Sequence, residues 1–254
     1  MTDPTVFDIV VLCWIALAIV LFPVQLIVTA PYGRHVREGW GPRIPNRLGW
    51  FAMETVSLVT FGALFLSGPT PKSFPMWFFF AFWMAHYANR SLLFPWRVHT
   101  TGKTIPLLIV ASAATFNIVN AGLNGYYLGT LAKTYPDRWL GDARFVGGAL
   151  IFLSGAALNL WSDNRLIALR RCGIPTDYVI PRGGPFELVS CPNHLGEIVQ
   201  WSGFAILCWN LPALSFAVWT AANLIPRSLS HHRWYRQRFP EYPRGRRAVI
   251  PFVL

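Results

Sequence analysis

Six apolar stretches, each long enough to cross a membrane as a helix, restrict the possible folds of this chain more than any other feature. They cover residues 6–30, 48–68, 75–94, 105–131, 145–166 and 197–226. A membrane-spanning helix needs about 20 apolar residues, so each of the first five stretches predicts one span. The sixth is long enough for two spans, and Asn210-Leu211-Pro212 interrupts it where a tight turn would lie. We therefore predict an all-α integral membrane protein with seven transmembrane helices.

The composition supports this prediction and leaves little room for a soluble domain. Hydrophobic residues make up 54% of the 254 residues and charged residues 13%, about half of the roughly 25% charge of ordinary soluble domains. Seven spans use roughly 140 residues, so on the order of a hundred are left for loops and tails. Disordered, collagen-like and disulfide-rich classes are excluded, and the four cysteines form no CxxC pair. We expect one membrane-embedded domain over residues 1–254, with reduced cysteines that serve in packing.

The distribution of basic residues predicts the orientation in the membrane. The chain has 22 Lys and Arg residues against 11 Asp and Glu residues, which gives a net charge of +11. With the N-terminus outside, 17 of the 22 fall in inside segments, and four fall outside, namely Lys72, Lys133, Arg138 and Arg144. The positive-inside rule then predicts a cytoplasmic C-terminus. We interpret the basic face as a contact with anionic membrane lipid or with an anionic ligand such as a dinucleotide phosphate, and expect no nucleic acid partner.

The first apolar stretch is expected to remain in the protein. No basic residue precedes it, and Asp3 lies before it. A cleaved signal peptide begins with a positively charged region, so this start is typical of a retained span.

Polar side chains inside the predicted spans are few, and such residues are costly at membrane depth and usually functional. Those that stand out are Glu54, His86, Tyr87, Arg90, Asn117, Asn120, Asn124, Asn159, Asp163 and Glu197. Spacings of three, four and seven residues place several of them on shared helix faces. These stripes, several of them near cytoplasmic helix ends, predict a polar and partly basic pocket that opens to the cytoplasm.

Each of these residues also has a structural interpretation. Hydrogen bonds between helices explain the three asparagines of the fourth stretch equally well. An ion pair with His86 or Arg90 is the simple structural use of Glu54. Trp201 alone is typical of packing, and the four-residue spacing of Arg227, His231 and Tyr235 also fits a solvated helix face.

Common catalytic and cofactor motifs are missing from the sequence. There is no GxGxxG motif after a strand, so no Rossmann cofactor site is predicted, and there is no P-loop, HExxH or GxSxG motif. The six histidines are too scattered to give good metal-ligand geometry, so we expect no metal. Any cofactor is therefore expected to bind to the membrane helices and the cytoplasmic loops.

Several longer motifs are more specific. The C-terminal region contains His231-His232-Arg233-Trp234-Tyr235, Phe239-Pro240-Glu241-Tyr242-Pro243 and Arg247-Ala248-Val249-Ile250-Pro251-Phe252. Further motifs lie at residues 159–163, 181–186 and 193–197, with Glu54 and His86-Tyr87 in the N-terminal half. Together they resemble the steroid 5α-reductase family (3-oxo-5α-steroid 4-dehydrogenase), and the chain is identified as a bacterial-type member. Sterol double-bond reductases and isoprenylcysteine-type methyltransferases are similar mainly in the C-terminal half, so the Glu54 and His86-Tyr87 segments favour the 5α-reductases.

The resemblance implies a helical cavity that holds NADPH at its cytoplasmic side and a 3-oxo-Δ4-steroid deeper in the membrane. By similarity, Glu54 and Tyr87 are the catalytic residues, which contact the 3-keto oxygen and make carbon 5 electrophilic toward a hydride. Either a protonated Glu54 donates to the ketone, or an ionised Glu54 orients the Tyr87 hydroxyl, which then donates. Residues 1–135 would supply mainly the substrate side, and residues 145–254 mainly the cofactor side.

The same resemblance implies the binding residues. Those expected to bind the cofactor are Tyr32, Arg34, Lys103, Asn159, Asp163, Arg170, Tyr178, Asn193, Glu197, Trp201, His231 and Tyr235. Those expected to bind the substrate are Trp50, Phe116 and Asn120. The candidates for the cofactor's phosphates are Arg34, Arg97, Lys103 and Arg170.

Other functions stay open at this point. An isoprenylcysteine-type methyltransferase would use S-adenosylmethionine and would leave Glu54 and Tyr87 without a role. A membrane lipid-binding protein without enzymatic activity is a third hypothesis, and sterol-ring, polyprenol and very-long-chain enoyl substrates are alternatives for a reductase. We expect a monomeric NADPH-dependent reductase of a steroid or steroid-like lipid, in the bacterial inner membrane or, in a eukaryote, the endoplasmic reticulum.

Overall fold

The computed structural model describes residues 4–98, 100, 102–172 and 178–254, without the side chains of residues 4 and 170–172. Eight α-helices follow one another in these ranges: α1 (Pro4–Ile27), α2 (Asn46–Ser67), α3 (Phe74–Ala88), the short α4 (Phe94–Arg97), α5 (Leu107–Tyr126), α6 (Ala143–Cys172), α7 (Pro192–Cys208) and α8 (Leu211–Arg238). Two short strands, β1 (Arg43–Pro45) and β2 (Thr104–Pro106), pair antiparallel with Ile44 opposite Ile105. β1 leads directly into α2 and β2 directly into α5, so the strand pair joins the starts of these two helices.

Every apolar stretch of the sequence forms a helix, and the sixth stretch forms two. The break between α7 and α8 lies at Trp209, whose φ of 47° is in the left-handed region. Asn210 then caps α8, because its side-chain oxygen accepts a hydrogen bond from the amide of Ala213 at 2.9 Å. α8 continues through Pro226 as far as Arg238, beyond the end of the apolar stretch.

Four helices in the described part of the chain are long and apolar enough to cross a membrane. They cover Thr5–Ile27, Asn46–Ser67, Leu107–Leu131 and Ala143–Leu169. α3 and α7, with 15 and 17 residues, are shorter than these four. The mainly helical fold with several apolar helices is therefore confirmed, and four of the seven predicted spans meet this criterion.

The chain divides into two compact units. Unit 1 comprises Met1–Val11, Ala30–Val146 and Asn210–Ala213, and unit 2 comprises Leu12–Thr29, Gly147–Trp209 and Leu214–Leu254.

In unit 1, α2 packs lengthwise against α5, and the two helices run in the same direction. The side-chain amide of Asn117 on α5 donates to the carbonyl of Met53 on α2 at 2.7 Å. Eight residues further along each helix, Gly125 lies against the backbone of Phe61. α3 returns antiparallel to α2, and the ring of Trp83 stacks on that of Phe61 with centroids 4.4 Å apart.

In unit 2, α6 and α7 lie antiparallel with their backbones in close contact. A Cβ atom at Gly196 would lie 2.5 Å from the backbone nitrogen of Asn159, so only glycine permits this approach. The part of α1 that belongs to unit 2 packs against α8. There the indole of Trp219 donates to the carbonyl of Trp14 at 2.9 Å, and the two rings lie 4.6 Å apart.

Candidate active site

The predicted site residues fall into both units, and each group has its own surroundings. In unit 1, Arg90 lies over two aromatic rings. Its guanidinium carbon is 5.2 Å from the ring centroid of Trp50 and 5.0 Å from that of Phe94, which is within the range of cation–π attraction. Tyr32 packs edge-on against Trp50 with the centroids 6.5 Å apart. Trp50 therefore joins α2 to α4 and to the loop before β1.

Tyr87 lies at the end of α3, directly before a π-helical turn at Asn89–Leu93. The hydroxyl of Ser91 donates to the carbonyl of Tyr87 at 2.6 Å, and the Tyr87 ring stacks on Trp83 at 5.3 Å. The side chain of Tyr87 is buried. Single π-helical turns within α-helices occur frequently at functional sites, so this turn distinguishes Tyr87 from the other aromatic residues of α3.

Glu54 lies on the stretch of α2 that faces Tyr87 and its neighbours. Because α2 and α3 are antiparallel, the residues of α2 that precede Phe61 face the residues of α3 that follow Trp83. Tyr87 follows Trp83 by four residues and therefore shares a face of α3 with it. Glu54 precedes Phe61 by seven residues and therefore shares a face of α2 with it. The carboxyl group of Glu54 and the phenol of Tyr87 therefore lie in the same region of unit 1, which is rich in aromatic rings.

The three asparagines of α5 differ in what their side chains bind. Asn117 donates to the carbonyl of Met53 at 2.7 Å, and Asn124 donates to the carbonyls of Asn120 and Pro212 at 2.9 and 3.2 Å. These two are structural, as the alternative interpretation of the sequence predicted. The side chain of Asn120 is fully buried, and neither its nitrogen nor its oxygen has a hydrogen-bond partner among the described residues. Asn120 is therefore the member of the set whose amide is available to a ligand.

The other predicted residues of unit 1 lie nearer its loops. Arg34 belongs to the short 3-10 turn Gly33–His35, and Phe116 is half-buried on α5. Lys103 directly precedes β2, and its carbonyl accepts a hydrogen bond from the amide of Asn46 at 3.0 Å. A cavity of about 370 Å³ lies beside the strand pair, and its basic lining residues are Lys103 and Arg47.

In unit 2, four of the predicted cofactor residues form one hydrogen-bonded network between α6 and α7. The amide of Asn159 donates to the carbonyl of Asn193 at 3.0 Å and to the carboxylate of Glu197 at 3.2 Å. The amide of Asn193 donates to the carboxylate of Asp163 at 3.3 Å. Asn159 and Asp163 are buried, and Asn193 and Glu197 are partly exposed. The predicted spacings on the two helices therefore converge on one polar cluster.

His231 lies on α8, and Tyr178 packs beside this helix. The ring of His231 packs against that of His194 with centroids 5.5 Å apart, and Nδ1 of His194 lies 2.8 Å from the hydroxyl of Ser228. Tyr178 packs edge-on against Trp234 at 5.1 Å. The histidine pair connects the start of α7 to α8.

Two further predicted cofactor residues are enclosed by other rings. Tyr235 stacks on Tyr242 with centroids 5.2 Å apart, and Trp201 packs against Phe216 at 4.1 Å. Both side chains are buried, and this is the geometry of packing residues within unit 2. The side chain of Arg170, another predicted cofactor residue, lies outside the described residues.

The loop at residues 181–191 and the C-terminal segment form an ionic contact that sequence reasoning missed. The guanidinium of Arg246 is buried and donates to the carbonyl of Pro181 at 3.1 Å and to the carboxylate of Glu187 at 3.3 Å. Glu187 also accepts a hydrogen bond from the amide of Gly183 at 2.6 Å. That hydrogen bond, with the nearby arginine charges, holds the pKa of Glu187 below its ordinary value. Gly183 has a φ of 91°, a conformation that glycine adopts without strain.

A second contact joins the same two segments. The hydroxyl of Ser190 lies 2.7 Å from Nδ1 of His232 and 2.7 Å from the hydroxyl of Tyr242, and it donates to the carbonyl of Arg247 at 3.0 Å. Both segments contain motifs that identify the family resemblance. The resemblance could therefore have directed attention to them, although it does not say which residues pair.

Comparisons with known proteins show what this chain is similar to. A sequence model of the family described as 3-oxo-5-alpha-steroid 4-dehydrogenase matches residues 103–254. Steroid 5-alpha-reductase DET2 of Gossypium hirsutum is 38% identical to this chain, and the match covers 99% of each protein. Steroid 5-alpha-reductase DET2 of Arabidopsis thaliana is 39% identical, over 88% of this chain and 87% of the relative. The 3-oxo-5-alpha-steroid 4-dehydrogenase 1 of Homo sapiens is 38% identical, over 87% and 85%.

Proposed function

Because the chain belongs to the steroid 5α-reductase family and is therefore an oxidoreductase, we propose that it reduces the Δ4 double bond of 3-oxo-Δ4-steroids. The product would be the 5α-3-oxosteroid, and the reductant would be NADPH. The observation that carries this proposal is the position of Glu54 and Tyr87 on facing stretches of α2 and α3, on the same side of the stacked rings of Phe61 and Trp83. A flat apolar substrate that presents one ketone at its reacting end requires a site of this composition, with aromatic walls and few polar groups.

Glu54 and Tyr87 would act on the 3-keto oxygen. A hydrogen bond from either group stabilises the negative charge that develops on this oxygen when carbon 5 accepts a hydride. If Glu54 is neutral it donates directly, and if it is ionised it orients the hydroxyl of Tyr87 toward the ketone. A proton added at carbon 4 completes the saturated ketone in both cases.

Unit 2 would bind the cofactor through the network of Asn159, Asp163, Asn193 and Glu197. Its amides and carboxylates fit the carboxamide and ribose hydroxyls of a nicotinamide nucleotide, which need both donors and acceptors. Asn193 and Glu197 are partly exposed, so their polar atoms are accessible to a ligand. When bound, NADPH would supply the hydride that adds to carbon 5.

We further propose that the chain is a monomer that crosses the membrane seven times, with the N-terminus outside and the C-terminus in the cytoplasm. The bias of 17 basic residues against four supports this orientation. Single cysteines introduced at exposed positions, for example at Gly141 and Arg244, would test it through their labelling by a membrane-impermeant maleimide. Labelling of position 141 from outside and of position 244 only after permeabilisation is expected, and the reverse pattern would contradict the orientation.

The reaction is tested with purified protein in detergent, supplied with NADPH and with progesterone, testosterone or androstenedione. The products are separated by chromatography and identified by mass spectrometry against 5α and 5β standards. We expect a 5α-dihydro product and an equal loss of NADPH. NADPH binding without a steroid product would indicate a reductase that acts on another lipid enone. Absence of NADPH binding, together with transfer of a labelled methyl group to a lipidated thiol, would favour a methyltransferase.

A further inference from the structure

Ser57 of α2 is an exception among the helical serines of this chain. In the described helices, the usual pattern is that the hydroxyl donates to the carbonyl four residues earlier, which serines 91, 112, 154, 162 and 228 all do at 2.6–2.7 Å. For Ser57 that carbonyl belongs to Met53, and it already accepts the short hydrogen bond from Asn117. The hydroxyl of Ser57 is fully buried and has no hydrogen-bond partner among the described residues.

Asn120 of α5 is another polar side chain in this condition. It is fully buried, and both its amide nitrogen and its amide oxygen lack partners in the described part of the chain. Buried polar groups in native proteins are almost always hydrogen-bonded, because leaving them without a partner costs free energy. A buried hydroxyl and a buried amide that both lack a partner therefore indicate a polar occupant if they lie close together.

Ser57 and Asn120 lie at the same level of the contact between α2 and α5. The two helices run in the same direction, and the contacts of Asn117 with Met53 and of Gly125 with Phe61 both join residues 64 positions apart. The same offset pairs Ser57 with the residue that follows Asn120. The unpartnered hydroxyl and amide are therefore neighbours on facing helices.

This level is also that of the proposed catalytic residues. Ser57 follows Glu54 by three residues, so the two share a face of α2. On α2, Phe61 follows Ser57 by four residues, and its ring stacks on that of Trp83 on the antiparallel α3. On α3, Tyr87 follows Trp83 by four residues. Ser57 and Tyr87 are thus each one turn from the same ring stack, on the same side of it.

We propose that Ser57 and Asn120 together bind one neutral oxygen atom in the substrate site, next to Glu54 and Tyr87. The inference rests on the proposed function and adds Ser57 as a residue that determines specificity. The oxygen belongs to the steroid ketone or to a water molecule held beside it. A hydroxyl and an amide offer donors and an acceptor, and either kind of oxygen atom can use them.

The test compares Ser57→Ala and Asn120→Leu with the wild type and with Ser112→Ala. Ser112 is a matched control because it is an exposed serine of unit 1 whose hydroxyl has its local partner. Binding of androstenedione and of 4-androsten-17-one, which differs from androstenedione only in lacking the 3-oxygen, is measured by equilibrium dialysis without cofactor. Turnover of progesterone with NADPH, its solvent deuterium isotope effect and the Tm of each variant complete the comparison.

If the oxygen belongs to the ketone, each variant weakens androstenedione binding on the order of five-fold or more and leaves the binding of 4-androsten-17-one unchanged. If it belongs to water, binding of both steroids is retained while kcat falls and the solvent isotope effect changes. A Tm equal to or above that of the wild type, with binding and kcat like those of Ser112→Ala, would overturn the proposal. A wild type that neither binds nor reduces 3-oxosteroids would overturn the proposed function and this inference with it.

Discussion

The buried guanidinium of Arg246 lies 3.3 Å from the half-exposed carboxylate of Glu187, 59 residues earlier in the chain. Glu187 also accepts the amide of Gly183, so one carboxylate connects the C-terminal segment to the turn at residues 183–187. The contact lies within unit 2, the unit that contains the network of Asn159 and Asn193. Its loss is expected to loosen this loop.

Glu187→Gln is expected to lower stability near neutral pH by less than about 1 kcal/mol, because solvent screens a half-exposed pair. The pKa of Glu187 is held below its ordinary value of 4.5, chiefly by the hydrogen bond from Gly183. A carboxylate with a lowered pKa contributes stability above its unfolded pKa and loses that contribution as the pH falls through its folded pKa. The Tm of the wild type should therefore fall more steeply than that of Glu187→Gln below about pH 4.5.

The control for this measurement is Glu241→Gln, which changes an exposed carboxylate of the same C-terminal region. Its Tm should follow that of the wild type over the whole pH range. Parallel curves for the wild type and Glu187→Gln would show that the contact with Arg246 and Gly183 does not stabilise the fold.

Glu54→Gln and Tyr87→Phe are each expected to lower kcat by about 10²–10³-fold, because each removes a group that stabilises charge on the ketone in the transition state. Binding of NADPH should be unchanged, since neither residue is among those expected to bind the cofactor. Steady-state kinetics and direct cofactor titration give the two quantities. An equal loss of cofactor affinity in Glu54→Gln would refute this division of roles.

Asn193→Ala is expected to weaken NADPH binding and to leave kcat largely unchanged, the reverse of the Glu54 and Tyr87 variants. The substitution removes the hydrogen bond to Asp163 and leaves that buried carboxylate with one donor fewer. The Kd for NADPH should rise about ten-fold, with kcat at saturating cofactor largely retained. Asn223→Ala, at an exposed asparagine of α8, is the control. A normal Kd together with a low kcat would mean that Asn193 acts on the reaction and not on cofactor binding.

Gly196→Ala adds only one methyl group, but it should clearly lower the stability of the protein. The new methyl group would lie 2.5 Å from the backbone nitrogen of Asn159, so α6 and α7 would have to separate. We expect a loss of stability of about 1–3 kcal/mol and a weaker affinity for NADPH. Gly147→Ala on α6 meets no atom within 4 Å and should raise stability by up to about 1 kcal/mol. Similar Tm values for the two variants would contradict the close packing of these helices.

The helices could be predicted from the sequence because the length of an apolar stretch is a local property. The division of the sixth stretch at Asn210 was predictable for the same reason, since a capping residue followed by Leu-Pro is a local signal. The four-residue spacing of Arg227, His231 and Tyr235 indicated a helix after Pro226, and the structure has one there. That this helix continues the preceding span without a break was not predicted, because a proline and a basic segment both favour an earlier end.

The site was less predictable because its contacts depend on distant partners. Asn117, Asn120 and Asn124 have the same residue type and a regular spacing, yet two of them hold neighbouring backbone and one does not. The difference depends on which carbonyls of other segments, such as that of Met53, come within reach. Ser57 was missed for the same reason, since its hydroxyl loses its usual acceptor to a residue of another helix.

In the π-helical turn at Asn89–Leu93, the number of residues matters as much as their identity. Such a turn contains more residues than a turn of the surrounding α-helix, so a chain that lost one residue there could return to a regular helix. Each residue of an α-helix rotates the chain by about 100°, and Tyr87 would then point in another direction relative to Phe94. A variant that lacks Leu92 would keep every side chain discussed above and still lose the alignment of the Tyr87 phenol.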